Sequence, residues 1–205
     1  HARAFTGLFR LTPGDRVPLM APSAVDVATE EIIPALLSGC RLIASTSTHD
    51  DMAELTREIV TRQYSVLNVP ASLWHRWTEH LHDTGQAVPT DLRLVIAGSE
   101  QIYTHTLREW LALPGADAVQ WAAAYGVTEC TVTSSFYTGA ATDDLSGEQL
   151  VPIGKPVPGT WFYIVDPDDG RIVRDGTVGE LLIGGLGLAR GYMHLPEETH
   201  RRFVT

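Results

Sequence analysis

A hydroxyl and a carboxylate stand side by side at the end of an apolar run near the middle of this sequence. The stretch AAAYGVTECTVTSS, residues 122–135, breaks at Gly126 and then places Thr128 next to Glu129. A turn that served the fold alone would more often combine glycine with Asn, Asp or Pro. The residue types and their spacing therefore indicate that Thr128 and Glu129 contact a ligand, although a polar strand entrance would give the same pattern.

The elements that must position this pair alternate between strands and helices. Apolar runs predict strands at residues 17–22, 40–45, 64–70, 92–98 and 118–126. Helical spacing predicts helices that begin near residues 25, 52, 71 and 102, with Asp50 or Asp51 as a cap for the second of them. Such alternation is typical of a parallel sheet built from right-handed βαβ units. We therefore predict an α/β subdomain over residues 1–140.

The pattern changes near residue 138. A polar loop, TGAATDDLSGEQL, is followed by short strand-like runs at residues 160–166, 171–175 and 179–185. The separating sequences PDDG and GTVG are typical of antiparallel hairpins. We predict that residues 150–205 form the start of a small antiparallel, β-barrel-like subdomain, which is incomplete in this chain.

Topology alone predicts where a ligand would bind. In open parallel sheets, ligands lie beyond the carboxyl ends of the strands. The segments VPASL, AGSE and AYGVTE each follow a predicted strand, so they are expected to meet at one edge of the sheet. The last of these segments contains Thr128 and Glu129.

Composition narrows the class of protein. The chain has 205 residues, 44% of them apolar, and a net charge of −10, which argues against nucleic-acid or anionic-membrane binding. Two cysteines, Cys40 and Cys130, are too few for a disulfide framework, and no apolar run reaches the roughly 20 residues of a membrane helix. We predict a cytoplasmic location. Because the sequence begins without Met and stops without a terminating signal, we also expect it to be a fragment.

Four ordered motifs carry a resemblance to a known family. The segments LVIAGSE, AAAYGVTECT, VPIGKPVPGTWFYIVD and GELLIGGLGLARGYMHLPEETHRRF resemble the core motifs of the adenylate-forming superfamily. The match is closest to the large N-terminal part of the amino-acid adenylation domains of nonribosomal peptide synthetases, and it covers essentially the whole chain. This resemblance implies an ATP-dependent ligase that makes an aminoacyl-adenylate and pyrophosphate. The acyl group would then pass to the phosphopantetheine thiol of a carrier protein.

The resemblance assigns part of a nucleotide site. Glu129 matches the family's Mg²⁺ ligand, and Thr128 matches the hydroxyl that contacts phosphate. A hard cation prefers carboxylate and phosphate oxygens, and a reacting phosphate needs preorganised donors. The positions that match the adenine-binding elements are Gly98, Ser99, Glu100, Ala123, Ala124, Tyr125 and Gly126.

One position departs from the family pattern. The family often has Asn where this chain has Ala123. Adenine recognition is therefore expected to rely more on backbone groups. Val127 replaces a frequent proline, which we interpret as a conservative change in loop stiffness.

The resemblance also assigns an amino-acid pocket. Asp26 matches the carboxylate that pairs with the substrate's α-ammonium, whereas on position alone it would be a helix cap. The positions that match the side-chain pocket are Val27, Glu30, Ser72, Val95, Ala97, Ala124, Val132 and Thr133. A carboxylate at Glu30 among small residues favours a basic substrate, and a large polar or aromatic one such as tyrosine is the alternative. A third possibility is that Glu30 faces solvent.

Three other patterns do not predict chemistry. His75, His80 and His82 are interpreted as residues of a solvated helix, since only the first and last share a helical face. The run GGLGLA is not followed by a helix long enough for a dinucleotide site, so we interpret it as structural. Lys155 is not a candidate for the family's catalytic lysine, which belongs to a separate C-terminal subdomain.

The resemblance implies that parts of the catalytic set lie elsewhere. The phosphate loop is expected upstream of residue 1, and the ribose-binding Thr-Gly-Asp, the hinge and the lysine-bearing subdomain are expected downstream. These remaining subdomains are therefore expected partners. Two alternatives stay open: an acyl- or aryl-CoA synthetase type of ligase, which Asp26 disfavours, and a non-catalytic module that retains the pocket.

Overall fold

The computed structural model describes residues 1–45, 50–139 and 145–204. The helices are α1 (Ala2–Phe9), α2 (Val27–Ser38), α3 (Met52–Arg62), α4 (Ala71–Thr84), α5 (Thr104–Ala112) and α6 (Pro196–Arg202). The strands are β1 (Arg16–Leu19), β2 (Arg41–Ala44), β3 (Val66–Pro70), β4 (Leu94–Gly98), β5 (Gln120–Tyr125), β6 (Ser135–Tyr137), β7 (Lys155–Pro156), β8 (Thr160–Val165) and β9 (Glu180–Gly185).

The α/β fold class is confirmed. A five-stranded sheet has the order β3-β4-β5-β6-β7, in which β3, β4 and β5 run parallel and β6 and β7 are antiparallel. The strands β1 and β2 form a separate parallel pair, and the backbone N–H of Ser65, just before β3, donates to the carbonyl of Arg16 in β1. The strands β8 and β9 form an antiparallel hairpin. The division of the chain near residue 150 stays a prediction, since β7 still belongs to the five-stranded sheet.

Four local features differ from the sequence-based expectation. Helix α1 and strands β6 and β7 were not anticipated, and the strand predicted at 171–175 is only a single bridge between Ile172 and Val165. There, Asp169 accepts a hydrogen bond from the backbone N–H of Arg171, and such local side-chain bonds compete with a strand ladder. The polar loop predicted over 138–150 lies partly outside the described residues.

The two faces of the five-stranded sheet have different cores. In β4, Val95 and Ala97 pack on the face covered by α3, α4 and α5, together with Trp74 and Trp110. The alternate positions of β4, Leu94 and Ile96, pack on the opposite face against the aromatic side chains of α1. This alternation follows from the two-residue period of a strand. Because of this alternation, the side chains of β4 that lie near the predicted site come from only one of its two faces at each position.

The helix ends follow the signals in the sequence. Asp51 caps α3, because its carboxylate accepts a hydrogen bond of 2.8 Å from the N–H of Ala53. Gly39 and Gly85 end α2 and α4 in the left-handed conformation, with φ of 70° and 65°. Among the described residues, no helix is both long and apolar enough to cross a membrane.

A partly buried ion pair, Asp15–Arg93, ties the strands together at the edge opposite the predicted site. Both oxygens of Asp15 accept hydrogen bonds of 2.7 Å from Arg93, which immediately precedes β4. Ser65 and the N–H of Thr12 also donate to this carboxylate. Burial acts to raise the pKa of Asp15, but these hydrogen bonds outweigh it and lower the pKa to about 2.

We expect Asp15→Asn to lower the free energy of unfolding by about 2–4 kcal/mol, because Arg93 would lose its partner. The native pKa is depressed, so this contribution is present above pH 4 and is lost as the pH falls towards 2. Denaturant unfolding at several pH values measures both effects. Asp169→Asn, which removes an exposed partner of Arg171, should change stability by less than about 0.5 kcal/mol. An equal loss in the two variants would contradict the assignment.

Candidate functional site

Two adjoining cavities open at the carboxyl ends of β3, β4 and β5. The first, here called the Tyr125 cavity, has a volume of about 430 Å³ and is lined by Tyr125 and residues 150–153 among others. The second, the Asp26 cavity, has a volume of about 340 Å³ and is lined by Asp26 and Glu30 among others. The cavities share Ser99, Ala124 and Gly126 as lining residues. The strand edge predicted from topology therefore carries a two-part site.

The backbone turn after β5 requires a glycine at position 126. A Cβ atom on Gly126 would lie 2.0 Å from the carbonyl oxygen of Val132 and 2.7 Å from the nitrogen of Ser134. The N–H of Ser134 donates to the carbonyl of Tyr125, which closes the turn. Thr131 and Val132 both have φ near +60°, a conformation that β-branched residues rarely adopt. The turn is therefore a close-packed and strained segment between the cavities, as is common at binding sites.

Asp26 does not cap its helix. It stands at the N-cap position of α2, but its side chain makes no capping hydrogen bond. Instead, its Oδ2 accepts a hydrogen bond of 2.6 Å from Oγ1 of Thr128. Asp26 is half-buried and lines the second cavity, where its carboxylate is available to a cation. This geometry removes the capping alternative and connects Asp26 to the Thr128–Glu129 pair.

Glu30 lies inside the Asp26 cavity rather than in solvent. It is 3% exposed, and its carboxylate is bonded to Nδ2 of Asn68 at 2.8 Å and to Nε2 of His1 at 2.6 Å. Burial raises the pKa of Glu30 to about 7, while hydrogen bonds from Thr133 and Asn68 act to lower it. The carboxyl group is therefore poised between its neutral and charged forms near neutral pH.

The neighbouring Glu31 has a different role. It is as buried as Glu30, and burial raises its pKa to about 7 as well. However, its oxygens accept hydrogen bonds from the backbone N–H groups of Met20 and Ala21. Glu31 does not line either cavity, so it fixes the chain after β1.

Glu129 occupies the mouth of the Asp26 cavity. Its carboxylate is only partly covered, and Tyr192 donates a hydrogen bond to Oε1. This hydrogen bond lowers the pKa of Glu129, which keeps the group ionised. The described residues contain no cluster of three or more potential metal-ligating side chains. A single ionised carboxylate suits Mg²⁺, which retains several waters and takes further oxygens from substrate phosphates.

The structure brings most of the residues predicted from the sequence to the cavities. Glu100, Ala123 and Tyr125 line only the Tyr125 cavity. The predicted residues that line only the Asp26 cavity are Asp26, Val27, Glu30, Gly98, Thr128, Glu129, Val132 and Thr133. The shared wall contains Ser99, Ala124 and Gly126.

Three predicted residues lie elsewhere. Val95 and Ala97 are fully buried on the α4–α5 face of β4, because a strand presents alternate residues to opposite faces. Ser72 lies in the first turn of α4, outside both cavities, where its backbone N–H donates to Glu100 at 2.8 Å. None of the three is among the residues that line the two cavities, and their assignment to the pocket, which came from the resemblance, stays a prediction.

Several residues of the site were missed, among them Gln101 and Ile102 in the Tyr125 cavity and Tyr192 beside Glu129. Asn68 in β3 lines the Asp26 cavity and binds Glu30, and an isolated amide within an otherwise apolar strand was the available signal. Residues 150–153 form one wall of the Tyr125 cavity. They come from beyond the polar loop and pair with the chain before α5: Leu150 forms an antiparallel bridge with Tyr103, and the N–H of Val151 donates to the carbonyl of Ile102.

Comparison with known proteins identifies the class. Residues 1–193 match the family described as AMP-binding enzyme. Tyrocidine synthase 1 of Brevibacillus parabrevis is 33% identical over 202 residues, which is 98% of this chain and 17% of that protein. Surfactin synthase subunit 1 of Bacillus subtilis (strain 168) is 31% identical over 97% of this chain and 5% of its own length.

Solved structures share the fold. A holo NRPS protein containing adenylation and PCP domains, bound to a vinylsulfonamide inhibitor, has a TM-score of 0.83 and 27% identity, and the alignment covers 95% of this chain and 32% of that one. An artificially fused adenylation–PCP di-domain from Klebsiella oxytoca has a TM-score of 0.84 and 23% identity, over 100% of this chain and 40% of that one. At that lower identity the likeness concerns the fold alone.

The fold is that of the solved adenylation domains, and the family model covers almost the whole chain. The chain belongs to the AMP-binding enzyme family, and its relatives over nearly its whole length are nonribosomal peptide synthetases. This confirms the resemblance carried by the sequence motifs. The chain spans less than a fifth of the length of these curated relatives, so it corresponds to part of a larger protein.

We expect Gly126→Ala to lower the free energy of unfolding by about 2–4 kcal/mol, because a methyl group cannot fit against Val132 and Ser134. Chemical denaturation of the intact parent protein measures the change. Gly7→Ala is the matched control: nothing lies within 4 Å of its added Cβ, and α1 should gain about 0.4–1 kcal/mol. A tolerated Gly126→Ala would show that the turn is not close-packed.

Proposed function

We propose that the intact parent protein activates an amino acid with ATP, forming aminoacyl-AMP and pyrophosphate, and then transfers the acyl group to a carrier-protein phosphopantetheine thiol. The single observation that carries this proposal is the Asp26–Thr128 contact inside the Asp26 cavity, which adjoins the Tyr125 cavity. In this contact, the carboxylate proposed to bind the ammonium lies beside the hydroxyl proposed to contact phosphate. The remaining adenylation subdomains and the carrier protein are the proposed partners.

The Tyr125 cavity is the proposed adenine site. Tyr125 supplies an aromatic surface, and the wall of residues 150–153 supplies apolar contact. Ala123 contributes no amide, so backbone groups of the Ser99–Glu100 loop would contact the base. Glu100 is held near the N-terminus of α4 by its bond to Ser72, which fixes this loop.

The boundary between the cavities is the proposed site of reaction. An amino acid whose ammonium binds Asp26 would present its carboxylate towards Thr128, which lies next to the phosphate-binding position. Mg²⁺, when bound, would neutralise charge on the phosphates. Glu129 would hold that ion through its ionised carboxylate, and the Thr128 hydroxyl would donate a hydrogen bond to a phosphate oxygen. Orientation of the two reactants at this boundary would supply most of the rate.

Glu30 supports a basic or large polar amino acid as the substrate. A carboxylate offers about four acceptor positions, and His1, Asn68 and Thr133 account for three of them. One position therefore remains for a donor on the substrate side chain. A cationic side chain would also relieve the cost of burying this carboxylate.

The first test is amino-acid-dependent ATP–pyrophosphate exchange on the intact parent protein, screened across basic and aromatic amino acids. We expect exchange with amino acids, and we expect Asp26→Asn to reduce it about tenfold or more because the ammonium loses its partner. Carboxylic acids that lack an amine are the control substrates. Exchange with those acids alone would favour an acyl- or aryl-CoA synthetase type of ligase, and no exchange at all would favour a non-catalytic module.

The second test concerns the substrate side chain. We expect Glu30→Gln to reduce the preference for basic over aromatic amino acids, measured as the ratio of kcat/KM values. Since the pKa of Glu30 is raised to about 7, the wild-type preference should grow as the pH rises from 6 to 8, and the variant should lack this trend.

Glu31→Gln is the matched control for this test. It removes an equally buried carboxylate that lies outside the cavity, so it should affect stability but not the preference. A variant at Glu30 that retains full preference and its pH trend would remove Glu30 from the pocket assignment.

A further inference from the structure

The glycine-rich run after β9 lies across the Glu129 turn. The N–H of Ala189 donates to the backbone carbonyl of Glu129 at 2.7 Å, and Oγ1 of Thr131 donates to the carbonyl of Gly187 at 2.6 Å. The third contact is the hydrogen bond from Tyr192 to the Glu129 carboxylate. Residues 187–192 therefore hold both the backbone and the side chain of Glu129. A purely structural interpretation of this run does not account for the third contact.

Tyr192 is itself held in place from α6. Its backbone N–H donates to Oγ1 of Thr199 at 2.9 Å, and its ring packs edge-on against Phe203 at 5.6 Å. Gly191 permits this arrangement, because a Cβ there would lie 2.5 Å from Cγ2 of Thr199. The tyrosine hydroxyl is thus aimed at Glu129 by a built support rather than by a mobile loop.

We infer that Tyr192 is a positioning residue that holds the Glu129 carboxylate through Oε1, so that Oε2 would stay available to a metal ion. This inference rests on the proposed function, in which Glu129 holds Mg²⁺. A partly exposed glutamate side chain has several rotamers, and fixing one of them reduces the entropy lost when the ion binds. Outer hydrogen bonds to ligating carboxylates act in this way in metal sites.

The test measures ATP affinity of the intact parent protein by calorimetry at a series of free Mg²⁺ concentrations, which is independent of turnover. We expect Tyr192→Phe, which keeps the ring packed on Phe203, to raise the Mg²⁺ concentration at half-effect about tenfold. Thr199→Val should raise this Mg²⁺ concentration by a smaller factor. The variant keeps the Tyr192 hydroxyl but removes the Thr199 oxygen that accepts from the Tyr192 backbone N–H. The control is Tyr163→Phe. Tyr163 lies on β8 and is 45% exposed, so its substitution should leave the Mg²⁺ concentration at half-effect unchanged.

A double-variant comparison separates this inference from the proposed function. Glu129→Gln should shift the Mg²⁺ dependence strongly, and adding Tyr192→Phe to it should shift it no further, since the tyrosine acts through the carboxylate. If Glu129→Gln shifts the dependence while Tyr192→Phe lowers only thermal stability, the inference on Tyr192 is wrong and the proposed function stands. If Glu129→Gln leaves the Mg²⁺ dependence unchanged, the metal role of Glu129 fails, and the inference fails with it. Should Tyr192→Phe not fold, Thr199→Val carries the same comparison.

Discussion

The close return of the backbone at Gly126 is the constraint on which the site depends. The carbonyl of Val132 occupies the space where any other residue would place its Cβ, and the N–H of Ser134 bonds back to Tyr125. This return reverses the chain, so that β6 adds antiparallel to β5 and β7 follows it. One short segment therefore ends the parallel sheet, carries Thr128 and Glu129, and forms part of the wall between two cavities.

The acidic residues of the site differ because their surroundings differ. Glu30 and Glu31 are equally buried and have similarly raised pKa values, yet one faces a cavity and the other is satisfied by backbone N–H groups. Glu129 is more exposed and remains ionised, because a tyrosine donates to it. Their surroundings thus give three glutamates different roles. Glu30 would contact the substrate side chain, Glu31 anchors the backbone, and Glu129 would bind the metal ion. The first and the last of these roles belong to the proposed function.

Much of the fold and part of the site could be predicted from the sequence because they depend on local patterns. Alternating apolar runs and helical spacing gave the parallel strands, and the Gly126 break located the turn at their carboxyl ends. The rest depends on longer-range geometry. The resemblance assigns Val95 and Ala97 to the pocket, which stays a prediction, and the register of β4 packs both towards α4 and α5. Asn68 and Tyr192 reach the site only through the pairing of β3 and the course of the chain after β9.

The contact between Asp26 and Thr128 connects the two halves of the proposed reaction. A threonine hydroxyl has one proton, so while it donates to Asp26 it cannot donate to a phosphate oxygen. An ammonium group at Asp26 would bring its own donors, so that the Thr128 hydroxyl could turn from Asp26 towards a phosphate oxygen. In the proposed reaction, amino-acid binding therefore frees the group that the nucleotide needs. Because such coupling is reciprocal, the nucleotide must favour the amino acid by the same factor. The two cavities are adjacent in space, and in the proposed reaction this hydrogen bond would couple the binding of the two substrates.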